Sequence, residues 1–589
     1  MPTWQQLRDV KLSEYEAAAD GWGKVSNRAN AAKDRVDNEM LAKILETQKG
    51  DTAKTAVENL RTLALNYQYL HTECGLIRTA LNGLAKELVA PQSKLKRALE
   101  DAESRKFTVH PDGSVEYPAS PRPTIPLAPT GGTAQPGAPV PLLPGKAEGN
   151  GDPNKAQAEE IAEQIAQAIR TAAEIDARYA GVLRKLNTTG GLTVDAATLA
   201  DAARDTKDVQ RAAGGYLDAK DIPKGKSAEE NASWWKGLSQ EQREEYATLY
   251  PASVGALDGV PATVRDDANR TVLAEAKAQY QLEQRSIPPE PFPKWVSAGR
   301  AGMLQSDEWM KWHREHGDRK EHVDNALKGM EAIQKRFDAT GKEGLPEAYL
   351  LGFSPEGNGR AIVATGNPDT SDHTAVYVPG TTSNLGKIEN DVNRMNNLWR
   401  ASDDILGSGS ISTVTWLGYD APQSIAKDAP FAHYANDGAP AFNSFLDGLS
   451  ATNTTESGGH QTAVGHSYGT TLIGSAARQG DLNADDVIFA GSPGVQVGSA
   501  EEMDVPKGRV WNEEAKGDLV PDIGRYGHGG NQWRIGGGVM LIPSDEPFGA
   551  NQMTTDTSGH SDYWKEGTQS LNNQAAVVTG NYGAVQLND

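Results

Sequence analysis

A strand that turns abruptly into a helix around a serine is the feature that most constrains this fold. The apolar run 462–464 leads into Gly-His-Ser-Tyr-Gly at 465–469, and a helix of small residues follows from Thr470. So tight a turn strains the backbone of its apical residue, and flanking glycines let the strand and the helix approach closely. The segment therefore predicts a nucleophile elbow with the Ser467 hydroxyl above a sheet edge.

Other short β-branched runs surround the elbow and end in loops. They lie at 349–353, 360–365, 373–378, 486–490 and 508–511, and helical stretches separate several of them. Strands that alternate with helices form parallel sheets, whose reactive groups gather outside the carboxyl ends of the strands. The sequence therefore predicts a doubly wound, mostly parallel α/β sheet.

Candidate partners of the serine follow it in the chain order of an α/β-hydrolase, which is serine, acid, histidine. Asp518 lies past a predicted strand, and His560 comes later in the chain. A serine hydroxyl is hardly ionised at neutral pH, so it needs a base, and His560 would supply it while Asp518 fixes the imidazole tautomer. The backbone N–H groups of Tyr468 and Thr381 would bind the oxyanion of an acyl intermediate.

Three nearby residues compete for these roles. His528 is the alternative base, and Asp522 is the alternative acid. We favour Asp518 over Asp522 because it lies nearer the end of the predicted strand, where a loop presents an acid without unwinding far. His466, inside the elbow, is expected to face away from the apex and is interpreted as a packing residue.

Taken together, the motifs resemble a known family. Val-Tyr-Val-Pro-Gly-Thr at 376–381, Thr-Trp-Leu-Gly-Tyr-Asp-Ala-Pro at 415–422, the elbow and Gly-His-Ser at 559–561 are similar to an α/β-hydrolase family formerly catalogued as a domain of unknown function. The Trp-Trp pair at 234–235 is similar to part of the helical segment that usually precedes this hydrolase. The resemblance covers about residues 155–589 and implies a serine-hydrolase architecture without specifying a substrate.

The first hundred residues carry an apolar repeat in alternating steps of three and four. It runs from Leu60 to Leu88, and a similar repeat runs from Tyr15 to Val36. This spacing is typical of a coiled-coil seam. Because Gly50 can close one helix and the next residue can cap another, residues 1–106 are predicted to form an antiparallel helical hairpin.

The hairpin resembles the helical substrates of type VII secretion, and the hydrolase family that the later motifs resemble is common in bacteria that possess this secretion system. Those substrates have Trp-x-Gly at the turn, whereas this chain has Gln-Lys-Gly at 48–50, and Tyr69 and Glu73 match a Tyr-x-x-x-acid export signal. The resemblance implies export and a helical protein partner for residues 1–106. The alternative is a structural coiled coil that dimerises or docks on the rest of the chain.

Proline content divides the remaining chain. Nine prolines between Pro118 and Pro144 predict an extended Pro/Gly-rich linker over 107–154. Residues 155–345 are then expected to form a helical region that packs on the hydrolase or covers it as a lid. Residues 346–589 are expected to form the α/β-hydrolase catalytic domain.

Charge and composition exclude several classes of function. A formal net charge of -21 provides no basic face, so no nucleic-acid partner is expected. The one cysteine, Cys74, excludes an intramolecular disulfide and cysteine-based zinc clusters, and no cofactor or metal is predicted. No apolar run is long enough for an integral membrane segment, and the first residues do not form a cleavable signal. We therefore expect a cytoplasmic protein, or one exported by a signal-peptide-independent, type VII-like route.

Two classes of function fit these patterns. The first is a serine hydrolase that cleaves an ester, thioester or related acyl bond of a small-molecule or lipid-like substrate through an acyl-serine intermediate. The alternative is a non-catalytic secreted or scaffolding protein that uses a hydrolase fold behind a helical docking arm. The ordered serine, acid and histidine favour the enzyme.

Overall fold

The computed structural model describes residues 2–120, 131–136, 152–186, 192–299, 302–407, 409–530 and 540–588. The chain divides into two compact units. The first comprises Met1–Ala29, Leu70–Leu192 and Ala203–Asp221, and the second comprises Asn30–Tyr69, Thr193–Ala202 and Ile222–Asp589. No helix within the described residues is both long enough and apolar enough to cross a bilayer.

The helices are numbered in chain order. They are α1 (Trp4–Asp9), α2 (Leu12–Arg35), α3 (Ala42–Thr47), α4 (Asp51–Ser104), α5 (Pro153–Leu183), α6 (Ala196–Ala212), α7 (Ala228–Gly237), α8 (Gln240–Leu249), α9 (Pro251–Gly255), α10 (Ala262–Ser286), α11 (Asp307–Asp338), α12 (Ile388–Leu406), α13 (His433–Thr452), α14 (Tyr468–Gln479), α15 (Val520–Gly524) and α16 (Gln569–Val578).

The strands are numbered in the same way. They are β1 (Thr108–Val109), β2 (Val115–Tyr117), β3 (Gly132–Ala134), β4 (Trp295–Ser297), β5 (Met303–Gln305), β6 (Ala348–Ser354), β7 (Arg360–Thr365), β8 (His373–Val378), β9 (Ile411–Leu417), β10 (His460–His466), β11 (Asp486–Ala490), β12 (Val510–Glu513) and β13 (Asn551–Gln552).

The first unit is built around the long helix α4. Helix α2 runs antiparallel to it, since a β-carbon at Gly23 would lie 2.8 Å from the Arg78 side chain while Ser26, later in α2, donates from Oγ to the carbonyl oxygen of His71, earlier in α4, at 2.7 Å. Helix α5 packs on α4 as well, where Tyr179 Oη donates to Glu87 Oε1 at 2.6 Å. A β-carbon at Gly83 would lie 2.4 Å from the Tyr179 hydroxyl, so the glycine permits this close approach.

Burial along α4 differs from the predicted two-helix seam. Leu76 and Ala80, which lie outside the predicted repeat, are fully buried, whereas Leu70 and Ile77, which lie within it, are only half-buried. Cys74 is buried, as its seam position predicts. Because both α2 and α5 cover α4, apolar contact extends around more of the helix than a two-stranded seam would use.

The segment 107–154 contains a small sheet where the sequence predicts an extended linker. Strands β1, β2 and β3 pair antiparallel in that order. Val115 and Tyr117 are buried on one side of β2, since alternate residues of a strand share a face. Seven of the nine prolines fall in 121–130 and 137–151, which lie outside the described residues.

Residues 30–69, at the tip of the predicted hairpin, belong to the second unit. Lys33 Nζ lies 3.2 Å from Asp267 of α10, and Asn38 donates to Glu347 Oε1 at 2.6 Å. The connection between the helices is closed by Gly50, whose φ of 99° is readily adopted by glycine. These contacts favour the interpretation in which the tip docks on other parts of the chain.

The core of the second unit is an eight-stranded sheet in the order β13-β12-β11-β10-β8-β9-β7-β6. Pairing is parallel from β13 to β9, and β7 runs antiparallel to both of its neighbours. This confirms the predicted mostly parallel α/β sheet. The central strand β10 is buried along nearly its whole length, as parallel strands covered on both faces require.

Helices cover both faces of this sheet. Helices α12 and α16 pack together against one face, and α13 and α14 pack together against the other. Neighbouring residues of β8 therefore pack on opposite faces of the sheet. Val376 belongs to the same hydrophobic core as Phe442 of α13, whereas Tyr377 belongs to the core that contains Leu398 of α12. The carboxyl ends of the parallel strands are thereby left open between the two helical layers.

Helix α10 covers the edge strand β6 with polar side chains. The backbone N–H of Leu350 donates to Asp266 at 2.6 Å, and the carbonyl oxygen of Leu350 accepts from Asn269 at 2.9 Å. An exposed edge strand would leave such groups open to pairing with another chain. The Trp-Trp motif also packs internally, since Trp235 is buried and the Trp234 ring meets Tyr246 edge-on at 5.3 Å.

We expect Trp416→Ala to lower the free energy of unfolding of the second unit by about 3–5 kcal/mol, the usual cost of removing a large buried ring. Trp416 is 1% exposed and meets Phe442 edge-on at 5.0 Å. Urea titration followed by circular dichroism measures the change. The control Trp295→Ala removes a half-exposed ring and should shift stability by about 0.5 kcal/mol or less. Equal losses in both variants would contradict this assignment of the core.

Candidate active site

Strand β10 passes into helix α14 through a single residue, Ser467. Its backbone has φ 54° and ψ −128°, a strained conformation for a residue with a side chain. A β-carbon at Gly465 would lie 2.8 Å from the Cα of Thr470, and one at Gly469 would lie 2.1 Å from the carbonyl oxygen of Val378. Only glycines fit at these two positions, so the elbow depends on both of them.

Asp518 and His560 are in direct contact. His560 Nδ1 lies 2.8 Å from Oδ2 and 3.0 Å from Oδ1 of Asp518, although 42 residues separate them in the chain. The carboxylate can only accept, so in the neutral imidazole the proton lies on Nδ1 and the lone pair on Nε2. Ser467 and His560 line the same cavity, but no hydrogen bond joins them among the described residues.

Two further donors hold the Asp518 carboxylate. Tyr563 Oη donates to Oδ2 at 2.6 Å, and the backbone N–H of Val520 donates to Oδ1 at 3.0 Å. Burial by itself would raise the pKa of Asp518, but the hydrogen bonds from His560, Tyr563 and Val520 outweigh it and lower that pKa below its ordinary value. The carboxylate therefore stays ionised at neutral pH.

Gly491, which follows β11, makes room for this pair. Its φ is 59°, and a β-carbon there would lie 2.6 Å from Asp518 Oδ2 and 2.9 Å from His560 Nδ1. Nothing in the local sequence indicated its role, because the two residues that it accommodates come from loops further along the chain.

The two alternative residues are held by other partners, although His528 also lines the cavity. The Asp522 carboxylate is largely exposed and lies 3.7 Å from Arg525. His528 is buried and donates from Nε2 to the carbonyl oxygen of Ala429 at 2.6 Å. Neither is hydrogen-bonded to His560 or Asp518 among the described residues, so this geometry favours Asp518 as the acid and His560 as the base.

His466 contacts the loop that carries His560. Its Nε2 donates to the carbonyl oxygen of His560 at 2.7 Å, and its Nδ1 lies 3.5 Å from Arg394 Nη1. Burial lowers the pKa of His466 well below its ordinary value, and the charge of Arg394 lowers it further. The interpretation of His466 as a packing residue is therefore incomplete, because its neutral ring also positions the His560 backbone.

The turn after β8 lies against the elbow. A β-carbon at Gly380 would lie 2.7 Å from the Ser467 Cβ and 3.1 Å from the backbone nitrogen of Tyr468. Within the described part of the chain, neither the N–H of Thr381 nor that of Tyr468 has a hydrogen-bond acceptor. Both residues line a cavity of about 550 Å³, a usual size for a small-molecule site.

Comparison with known proteins agrees with this architecture. A family model described as alpha/beta hydrolase matches residues 354–527, a range that includes the elbow and Asp518. The fold of the second unit is thus that of an α/β-hydrolase domain, and the match suggests a hydrolase.

The curated relatives are described as uncharacterized proteins of mycobacteria. An uncharacterized protein of Mycobacterium tuberculosis is 28% identical over 396 residues, which cover 62% of this chain and 57% of the relative. An uncharacterized protein of Mycobacterium bovis is 31% identical over 178 residues, which cover 28% of this chain and 66% of that relative. The chain therefore spans little more than half the length of the first relative, and neither name supplies an activity.

The buried state of His466 predicts a specific pH dependence of stability. Its depressed pKa means that only the unfolded chain binds this proton as the pH falls below about 6.5. The free energy of unfolding should then fall by about 1.4 kcal/mol per pH unit until the folded pKa is reached. His466→Gln keeps a donor for the His560 carbonyl and removes this contribution.

Urea titrations of both proteins at pH 7.5, 6.0 and 5.0 measure the effect. The stability of the wild-type chain relative to His466→Gln should decrease at each step toward pH 5.0. A constant difference across the three pH values would show that His466 is not held neutral by its surroundings.

Proposed function

We propose that the protein is a serine hydrolase that cleaves an ester, thioester or related acyl bond. The observation that carries this proposal is the Asp518–His560 pair, in which the carboxylate is buried and the imidazole lines the same cavity as the strained Ser467. A carboxylate, an imidazole with a free Nε2 and a serine at an elbow are the groups that acyl transfer requires.

The chemistry follows from the protonation states. His560 Nε2 accepts the Ser467 proton as Oγ attacks the acyl carbon, and the carbonyl electron pair moves onto oxygen. The N–H groups of Tyr468 and Thr381 have no other acceptor among the described residues, so they can donate to this oxyanion. Collapse of the intermediate expels the alcohol or thiol, which takes the proton from His560. A water molecule, with His560 again as the base, then attacks the acyl-serine in the same way and releases the carboxylic acid product.

Neighbouring residues hold the base in place. The Tyr563 hydroxyl donates to Asp518 and also accepts from the N–H of Ala515 at 3.0 Å. It therefore connects the Asp518 carboxylate to the backbone of the loop that carries Asp518. His466 fixes the backbone of His560 from the other side. We assign these two as positioning residues, because they act on the acid and the base and not on substrate.

The N-terminal residues 1–106 are proposed to serve as a structural element of the protein and as a surface for a helical partner. Tyr69 and Glu73, which match the export signal, are both buried. A secretion receptor needs access to such a signal, so burial favours the structural interpretation. Export by a type VII-like route and a cytoplasmic location both stay predictions, as do the domain limits inferred from the sequence.

A serine-directed fluorophosphonate tests the nucleophile directly. Ser467→Ala should abolish covalent labelling, because phosphonylation needs an activated hydroxyl. Ser561→Ala removes a second serine of the same cavity and should label like the wild-type chain. Labelling that persists in Ser467→Ala would remove this residue from the mechanism, and a wild-type chain that never labels would favour the non-catalytic scaffold.

The acid is tested by a matched pair of amide substitutions. Asp518→Asn should lower kcat by about four orders of magnitude, because an amide no longer fixes the Nδ1–H tautomer of His560. Asp522→Asn changes an exposed carboxylate four residues further along, in α15, and should lower kcat by less than about threefold. Initial rates on p-nitrophenyl acetate distinguish them, and the reverse ranking would assign the role to Asp522.

A further inference from the structure

Five large apolar or aromatic side chains are exposed on the wall of the catalytic cavity or one residue away from it in the chain: Ile425, Ile523 and Tyr526 line the cavity, Phe431 follows its lining residue Pro430, and Leu519 precedes its lining residue Val520. They form what we call the apolar rim, and their exposed fractions are Ile425 77%, Phe431 57%, Leu519 65%, Ile523 69% and Tyr526 72%. Exposed apolar residues are ordinary when scattered, but a contiguous group marks a binding surface.

The two chain segments that carry the rim lie side by side. His528 donates to the carbonyl oxygen of Ala429, and a β-carbon at Gly527 would lie 3.7 Å from the carbonyl oxygen of Pro430. The Tyr468 hydroxyl donates to the carbonyl oxygen of Phe431. Tyr468 follows Ser467 directly, so these contacts attach the rim to the elbow.

The rim continues into the cavity. Ile425, Ile523 and Tyr526 belong both to the rim and to the cavity wall, and Pro430 and Val520 add to the apolar surface of that wall. A ligand chain that leaves the Ser467 hydroxyl along this wall would therefore contact apolar atoms up to the solvent boundary.

Helix α12 supplies a different kind of wall. Lys387 just before it, and Asn390, Asp391 and Arg394 within it, line the cavity at steps of three and four residues, which places them on one side of the helix. Arg394 is paired with Asp391 at 3.1 Å. The cavity is therefore lined by polar side chains from α12 as well as by the apolar side chains of the rim segments.

We propose that the substrate is a long-chain acyl ester presented at the surface of a zwitterionic or uncharged lipid aggregate, on which the apolar rim docks. The proposal rests on the serine-hydrolase function proposed above. The acyl chain lies along the apolar wall, and the polar alcohol portion faces α12.

A lipid surface fits the rim better than a protein partner. A protein seated on the rim would close the entrance of the cavity, whereas a lipid aggregate delivers its own molecules into it. The charges beside the rim are of both signs, with Lys427 and Asp428 in one segment and Asp522 and Arg525 in the other. An anionic membrane is bound through clustered Lys and Arg, so this composition favours a surface without net charge.

The binding test uses the full chain with Ser467→Ala, so that turnover does not consume the lipid, and phosphatidylcholine vesicles in a flotation assay. This chain should float with the vesicles. Adding Phe431→Ser or Leu519→Ser should weaken the partition by about tenfold each, the loss expected for one buried apolar side chain. The control Leu304→Ser changes an exposed leucine of β5 outside the cavity and should leave binding unchanged.

The activity test compares substrates in solution and in emulsion. Wild-type turnover of a long-chain p-nitrophenyl ester should rise steeply once the ester exceeds its solubility. Phe431→Ser and Leu519→Ser should lose about tenfold on that emulsion and keep the wild-type rate on dissolved p-nitrophenyl acetate, which also shows that they fold.

Three results would overturn the proposal. The first is that the chain does not bind the vesicles. The second is that the rim variants and Leu304→Ser change vesicle binding equally. The third is that the rim variants change self-association, measured by size-exclusion chromatography, and leave vesicle binding unchanged. Each of these leaves fluorophosphonate labelling of Ser467 intact. A chain that neither labels nor hydrolyses dissolved esters would instead refute the hydrolase function, and the lipid-ester proposal would fail with it.

Discussion

The passage from β10 to α14 through one residue is the constraint on which the site depends. Strain of the kind seen at Ser467 costs about 1–3 kcal/mol and persists only when surrounding structure imposes it. Here β10 is paired on both sides, and Gly469 lets α14 start directly over the end of β8. The same approach brings the Gly380 turn against the elbow. A rigid sheet therefore fixes both the serine and the N–H groups next to it.

Glu513, the last residue of β12, and Asp518, in the loop that follows, show how local contacts distinguish a structural carboxyl group from a chemical one. Glu513 is fully buried, and burial raises its pKa well above the ordinary value despite hydrogen bonds from Ser570 and Gln574. Asp518 is also buried, yet its three donors lower its pKa. Burial thus raises the pKa of one carboxyl group in the core, while the other keeps the charge that an imidazolium in the reaction would need.

The sequence was sufficient for features that depend on local pattern. Strand periodicity and the strand-to-helix turn predicted the parallel sheet, and chain order singled out Asp518 and His560. Features that depend on tertiary contact were missed: nothing near Gly491 or Tyr563 indicates that both touch the acid, and the role of His466 needed the loop of His560 beside it. The apolar repeat of α4 predicted a helix. The predicted pattern of buried residues was wrong because α5 packs on α4 in addition to α2. Strands β1, β2 and β3 have only two or three residues each, so an alternation of apolar and polar residues cannot be recognised in their sequence.

The central claim is that an acyl group is transferred to Ser467, and rapid acid quenching during turnover of p-nitrophenyl acetate tests it most directly. Peptide mapping by mass spectrometry of the quenched full chain should find one acetyl group on the peptide that contains Ser467, with an occupancy that rises and decays with the reaction. An acetyl group on another cavity residue such as Ser383 or Ser561, or hydrolysis with no acetylated peptide, would contradict the account.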